Sequence, residues 1–439
     1  MHRFVRPAFA TVLAAALGAS PLAAQARPVV VRGARIIPIA GPPIEPGVLV
    51  VQGGKIVAVG AEGAVSGPAD AEVIDGTGKV VMPGLVDTHS HIGGGDGGDR
   101  SAATHGDVRI LDAIDARSDG IQRAQAGGIT TVNVMPGSSL LMSGQTAYLK
   151  LRDGRVITDL LYCKDPLTDV CGGLKMANGT NPLNDEAPHP RTRAKSAAIV
   201  RGRFIKAREY RDKLRAAEKD TTKRPDRDLE LETLVQALDG KRVVHHHTHR
   251  HDDILTVLRL QQEFGFRLVL QHVSEGWKVA GEIAAAGVPA SVIVIDAPGG
   301  KLEAVDLSLR SGAILDSAGV LVGFHTDDGI TDSRLFLRSA ALAVRAGMSR
   351  DKALYAMTMA GARMLDLDQR IGTLEPGKDA DFIILSGDPL ALATHVEQTF
   401  VEGAKVFDLA NPRDHLFAVG GFQAVRTEPF DHHAGMEGH

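Results

Sequence analysis

Pro83-Gly84-Leu85-Val86-Asp87-Thr88-His89-Ser90-His91 is an apolar run that ends in two histidines one residue apart. In an extended strand alternate side chains share a face, so His89 and His91 point into one cavity and can chelate one ion. The glycine-rich Gly93-Gly94-Gly95 follows at once, as expected where a barrel strand gives way to an active-site loop.

The pattern recurs downstream. Val243-Val244-His245-His246-His247 places His245 and His247 on one face, Leu268-Val269-Leu270-Gln271-His272 ends in another histidine, and Leu321 to Asp328 ends in the carboxylates Asp327 and Asp328. Neutral imidazoles suit Zn(II) and similar borderline ions. Taken singly, these residues have ordinary explanations: His245, His246, His249 and His251 crowd the same segment, as solvated, substrate-facing or outer groups do, Asp328 fits a turn, and Lys175 reads as a surface lysine. Four strand ends offering His, His, His and Asp are harder to explain separately.

Between these strands lie helical stretches. Residues Asp252 to Phe264 begin with two acids at the positive helix end, carry an apolar stripe through Ile254, Val257, Leu258 and Leu260, and stop at Gly265. Gly276 to Ala286 predicts a helix, Val288 to Ile295 and Val320 to Phe324 predict strands, and Ser333 to Ala346 and Arg350 to Met364 predict helices. Alternation of this kind predicts βα units on a parallel sheet, an α/β fold. The ends differ: short β-prone runs at Val29 to Val31, Val48 to Val51, Lys55 to Val59, Ala71 to Ile74, Ala380 to Leu385 and Phe400 to Val406 suit a small sheet built from both termini.

A chain of 439 residues fits one large barrel and such a satellite. With 44% apolar and 23% charged residues it can bury a core, and a net charge of -4 with 4% aromatics argues against nucleic-acid binding. His2, Arg3 and Arg6 before the apolar run Ala8 to Ala24, then Ala24-Gln25-Ala26, read as a secretory signal peptide over 1–26. Gly18, Ser20 and Pro21 interrupt that run, which disfavours a membrane anchor. The mature chain then starts near Arg27 in the periplasm or outside the cell, with no membrane contact after signal removal. The two cysteines, Cys163 and Cys171, form one local bridge or stay as two thiols; spacing does not decide. The tail beyond Asn411, with His432, His433 and His439, reads as a loose extension.

The Pro83 to His91 motif, the later strand-end histidines, Thr326-Asp327, and Gly372-Thr373-Leu374-Glu375-Pro376-Gly377-Lys378-Asp379-Ala380-Asp381-Phe382 together resemble the amidohydrolase superfamily, in its imidazolonepropionase-like and prolidase-like branch. The resemblance implies a (β/α)8 TIM-type barrel over 83–365, a β-sandwich satellite from 27–82 and 366–410, and a tail over 411–439. It also implies one or two divalent ions, zinc by preference. His89 and His91 match the first-strand ligands, His272 the sixth-strand histidine and Asp327 the last-strand aspartate. His247 is preferred over His245 because Arg250-His251-Asp252-Asp253-Ile254 resembles the segment after the family's ligand. Lys175 matches the lysine that, carboxylated, bridges two ions, although Asn178-Gly179-Thr180-Asn181-Pro182 stands where many relatives have a glutamate.

The expected chemistry is hydrolysis of an amide or peptide-like C–N bond in a small substrate by metal-activated hydroxide, with Asp327 and His272 as catalytic groups. Arg250, Tyr148 and Glu275 are expected to recognise substrate, and loops 92–106 and 177–192 to shape the pocket. Two alternatives stand beside this: a mononuclear deaminase or cyclic-amide hydrolase, and a non-catalytic binding barrel. His272 to Glu275 has a deaminase-like spacing one strand late. A homo-oligomer is the default assembly.

Overall fold

A computed structural model describes residues 27–95, 98–294 and 301–420. The leader over 1–26, Ile295 and the three tail histidines lie outside the described residues.

Five strands open the described chain: β1 (Val29–Ile36), β2 (Ile44–Gln52), β3 (Lys55–Ala61), β4 (Glu72–Asp75) and β5 (Val80–Pro83). The central strands are β6 (Leu85–Ser90), β7 (Ile129–Val134), β8 (Met142–Gln145), β9 (Ala147–Lys150), β10 (Leu174–Ala177), β11 (Val244–Thr248), β12 (Leu268–His272), β13 (Ala290–Val292) and β14 (Val322–Phe324). Three more follow: β15 (Phe382–Leu385), β16 (Val396–Val401) and β17 (Ala404–Asp408).

The first and last groups share one eight-stranded sheet in the order β17-β16-β15-β5-β1-β2-β3, with β4 on β1. The ends join where β5 and β15 run antiparallel, Pro83 opposite Phe382 and Val80 opposite Leu385. Strand alternation divides the burial. Phe382 and Ile384 pack with Val31, Leu49 and Phe400, while Ile383 and Leu385 join the large central core. The expected strand Phe400 to Val406 is instead the turn of a hairpin. Glu402 and Gly403 both have positive φ, +49° and +76°, the backbone of a two-residue reversal between β16 and β17.

In the centre, β6 pairs with β7 in parallel and β10 to β14 form a parallel run. The third position departs from the all-parallel expectation. β8 and β9 are two halves of one run bent at Thr146; β8 is antiparallel to β10 and β9 antiparallel to β7. The connection over 135–141 is too short for the dozen or more residues a parallel crossover needs, so the chain returns antiparallel. Between β14 and β6 no ladder forms among the described residues. Instead the Asp327 N–H donates to the His89 carbonyl at 2.9 Å across the opening. The result is a TIM-barrel-like α/β fold. Gly84, where the sheet passes into β6, lies so close to Thr130 that a Cβ there would stand 2.2 Å from its Oγ1.

Helix His251–Phe264 ends at Gly265 as its stripe predicts, with Ile254, Val257 and Leu260 buried. The expected helix from Arg350 to Met364 breaks at Thr358 into Arg350–Ala356 and Met359–Met364, and the Val86 N–H bonds the Met357 carbonyl at that break. The helix Arg193–Ala217 has no counterpart in the reading above, since its charged sequence hides a narrow buried stripe of Val200, Phe204 and Ala207. Residues Pro412–Val419, expected as loose tail, form a helix capped by Asn411 and packed near Asp119–Ala126. Arg334 holds its end through the Gly420 carbonyl at 2.5 Å. Cys163 and Cys171 are bonded, with Cα atoms 5.0 Å apart.

Candidate metal centre

Alternation along β6 puts Asp87, His89 and His91 on one face, rising towards the strand's C-terminal end. His91 Nε2 lies 3.0 Å and His89 Nε2 3.5 Å from Asp327 Oδ1. His91 Nδ1 meets the Met135 carbonyl at 2.8 Å, which fixes its ring. Asp327 follows β14, and its φ of +50° turns the carboxylate back over β6. His272, at the end of β12, has φ +69°, and its Nδ1 lies 3.8 Å from Asp327 Oδ2. Left-handed backbone at non-glycine residues costs on the order of 1 kcal/mol each, and such strain clusters at functional sites.

His325 completes the group. Its Nε2 is 3.2 Å from His272 Nδ1 and its Nδ1 is 2.8 Å from Ser291 Oγ, which in turn shares a 2.6 Å hydrogen bond with Thr88 Oγ1. The donor atoms of His89, His272 and His325, and those of His89, His91 and Asp327, form two sets each within 4.8 Å. The sequence reading passed over His325, although it follows directly on the apolar run that ends at Phe324 and stands two residues before Asp327; that position was the available signal.

Lys175, fully buried on β10, brings Nζ to 2.9 Å from His89 Nε2 and 3.1 Å from Met135 Sδ. His247 on β11 stacks edge-on against His272, with ring centroids 4.3 Å apart. His245 lies elsewhere, with Nε2 on the Tyr148 hydroxyl at 2.9 Å and Nδ1 on Gln271 at 3.1 Å. His245 thus has partners at both nitrogens, whereas His247 has none among the described residues. Tyr148 reaches His245 and not the Asp327 group. Arg250 pairs with Asp252 at 2.8 Å, and Glu275 accepts from His251 Nδ1 at 2.6 Å and from Lys278 at 2.9 Å. Arg250 and Glu275 are thus engaged with neighbours outside the cluster.

Burial keeps the imidazoles of His89, His272 and His325 neutral. Burial, reinforced by Lys175 and neighbouring rings, holds His89 and His272 well below the ordinary histidine value, and burial lowers His325 to about 3. Burial pushes Asp327 up, but the His91 hydrogen bond and the charges of His91, His325 and Lys175 outweigh it and hold the carboxyl well below its usual range. Neutral imidazoles and an ionised carboxylate are the protonation states that ligate a divalent ion. Both His247 nitrogens are buried without a partner among the described residues, and so are His89 Nδ1 and His272 Nε2, the ring nitrogens opposite those that face Asp327.

The Amidohydrolase family profile matches residues 216–412. The chain is 26% identical over 370 residues to amidohydrolase tasK of Hapsidospora irregularis, covering 78% of this chain but only 38% of that protein. It is 26% identical to a 5-methylthioadenosine/S-adenosylhomocysteine deaminase of Symbiobacterium thermophilum, over 82% of this chain and 85% of the relative. The crystal structure of an amidohydrolase from Thermotoga maritima MSB8 superposes with a TM-score of 0.80 at 33% identity, covering 87% of this chain and all of that one.

Proposed function

This chain belongs to the amidohydrolase family, and we propose that it is a metal-dependent hydrolase that cleaves an amide or peptide-like C–N bond of a small substrate. The observation that carries this reading is the convergence of His89, His91 and Asp327 from two strand ends, with His272 and His325 alongside. These five residues would hold the first ion, and Zn(II) is the ion that an imidazole-rich set suits. A bound divalent ion supplies Lewis acidity towards a carbonyl and activates water.

Asp327, held ionised beside His91, takes up the proton of the attacking water and delivers it to the leaving nitrogen. His272 flanks that path, and the Ser291 hydroxyl orients His325 against it. Lys175, facing His89, is the lysine whose carboxylated form would add a ligand to this first ion. N-acyl amino acids and dipeptides are the proposed substrates. A full barrel over 83–365, with the shared sheet as a β-sandwich satellite from 27–82 and 366–410, is the proposed architecture. Export with cleavage near Arg27 is the proposed route, and the Cys163–Cys171 bond suits an oxidising compartment.

A deaminase reading draws on the Symbiobacterium relative. Against it, the Glu275 carboxylate, at the deaminase-like spacing from His272, is held by His251 and Lys278. Purified protein assayed on dipeptides, N-acyl amino acids and purine nucleosides tests both. We expect chelator-sensitive release of amino acid and its loss in Asp327→Asn; turnover that survives both treatments would overturn the proposal, and ammonia release from nucleosides alone would replace it with deamination.

A further inference from the structure

A second buried polar group stands beside the first. His247 and His249 leave the end of β11 two residues apart, their ring centroids separated by 4.6 Å and their planes at 84°. Glu303 reaches them from the short turn Leu302–Ala304. The donor atoms of all three lie within 4.8 Å of one another, and the residues are 2, 6 and 3% exposed.

Two of the three are gripped by one atom and present another. His249 Nδ1 meets Ser274 Oγ at 2.7 Å, which leaves Nε2 without a partner among the described residues. Glu303 Oε2 accepts from the Thr180 N–H at 2.7 Å and lies 3.5 Å from Arg193, while Oε1 has no partner. Both nitrogens of His247 are likewise unmatched. The grip on Glu303 is built in: at Gly179, φ is +77° and a Cβ would stand 2.5 Å from Glu303 Oε2, so only glycine lets the turn present the Thr180 N–H there. A hydrogen bond to the far atom of each ligand is how proteins orient metal-binding side chains. Leaving such buried atoms unsatisfied costs about 1–3 kcal/mol each, which a shared cation would offset.

We propose that His247, His249 and Glu303 bind a second divalent cation of the zinc type, with ligands drawn from β11 and the turn after β13 and none from Lys175. The proposal rests on the hydrolase reading only in placing this ion next to a first one, since His247 borders His272. Two neutral imidazoles and one carboxylate form a zinc-type donor set. Lys301, held by Asn181 at 2.9 Å, sets its charge against both imidazoles, as Lys175 does at the first group.

The test is metal stoichiometry of the full chain, stripped with chelator and reloaded with Co(II) or Zn(II), by elemental analysis and by the Co(II) absorption spectrum. Wild type should take up one equivalent more than Glu303→Gln or His249→Gln, and both variants should keep the Co(II) band that His91→Ala abolishes. Melting temperatures of the stripped proteins control for folding, and Glu303→Gln, being isosteric, should match wild type. Equal uptake by wild type and Glu303→Gln, with loss in His91→Ala, overturns this site and leaves the hydrolase reading intact. No uptake by wild type overturns both.

Discussion

Asp87, in the middle of β6, accepts hydrogen bonds from both the Oγ1 hydroxyl of Thr326 at 2.5 Å and its backbone N–H at 3.1 Å. Thr326 immediately precedes Asp327, where no ladder joins β14 to β6 among the described residues. The buried carboxylate therefore does there what strand pairing does elsewhere and sets where the Asp327 carboxylate stands relative to His91.

Asp87→Asn keeps the shape but offers an N–H where Thr326 already donates. We expect kcat to fall about 10–100-fold, because a small misplacement of a reacting group carries that scale of loss, with about 1–3 kcal/mol of stability lost from mismatched buried donors. Thr326→Val should reproduce part of the effect. Steady-state kinetics and denaturant unfolding check it; wild-type kcat in Asp87→Asn would show that Asp327 is placed without this clamp.

His325 lies between Ser291 and His272 and is fully buried. His325→Gln should weaken zinc binding by at least about 10–100-fold, the loss that follows even when only a ligand's support is removed. Competition against a chromophoric chelator reads the change directly. Unaltered affinity would place His325 outside the ion's surroundings.

Lys150, fully buried at the end of β9, meets Asp379, Asp381 at 3.1 Å and Glu402 at 3.3 Å, and Lys55 and Arg370 also bind Asp379 at 2.6 and 2.8 Å. The cluster fastens the central strands to the sheet formed by the two ends. Removing one partner of a buried ion pair costs about 3–5 kcal/mol, so Lys150→Met should unfold at correspondingly lower denaturant.

The same cluster sets a pH dependence. Burial pushes Asp379 up, but Lys150, Lys55 and Arg370 outweigh it and hold the carboxyl below its usual value. A depressed folded-state pKa contributes stability above the unfolded value, about 4, which disappears as pH falls through the folded value. The stability gap between wild type and Asp379→Asn should therefore be full at neutral pH and shrink below about pH 4, by thermal unfolding at fixed ionic strength. A constant gap across that range would show that Asp379 does not titrate against these cations.

Local patterns carried much of this architecture. The period of two placed His89 and His91 on one face, and the stripe in Asp252 to Phe264 predicted its helix, because both signals are properties of adjacent residues. The antiparallel return of β8 and β9 was not legible, since it follows from the length of the 135–141 connection between strands that lie side by side in the fold. His325 was visible as a residue, but its role depends on Ser291 and His272 from two other strands.

By itself, then, the sequence determined which side chains could ligate a cation, because strand alternation assigns faces without reference to the rest of the chain. Only the tertiary structure decided which of them meet. His245 and His247 share a face of β11, yet Tyr148 and Gln271 take up the first while the second borders His272. Glu303 reaches His249 across more than fifty residues of chain. Such meetings depend on how strands distant in sequence pack together and on which partner satisfies each buried nitrogen, and neither is encoded in spacing along the chain.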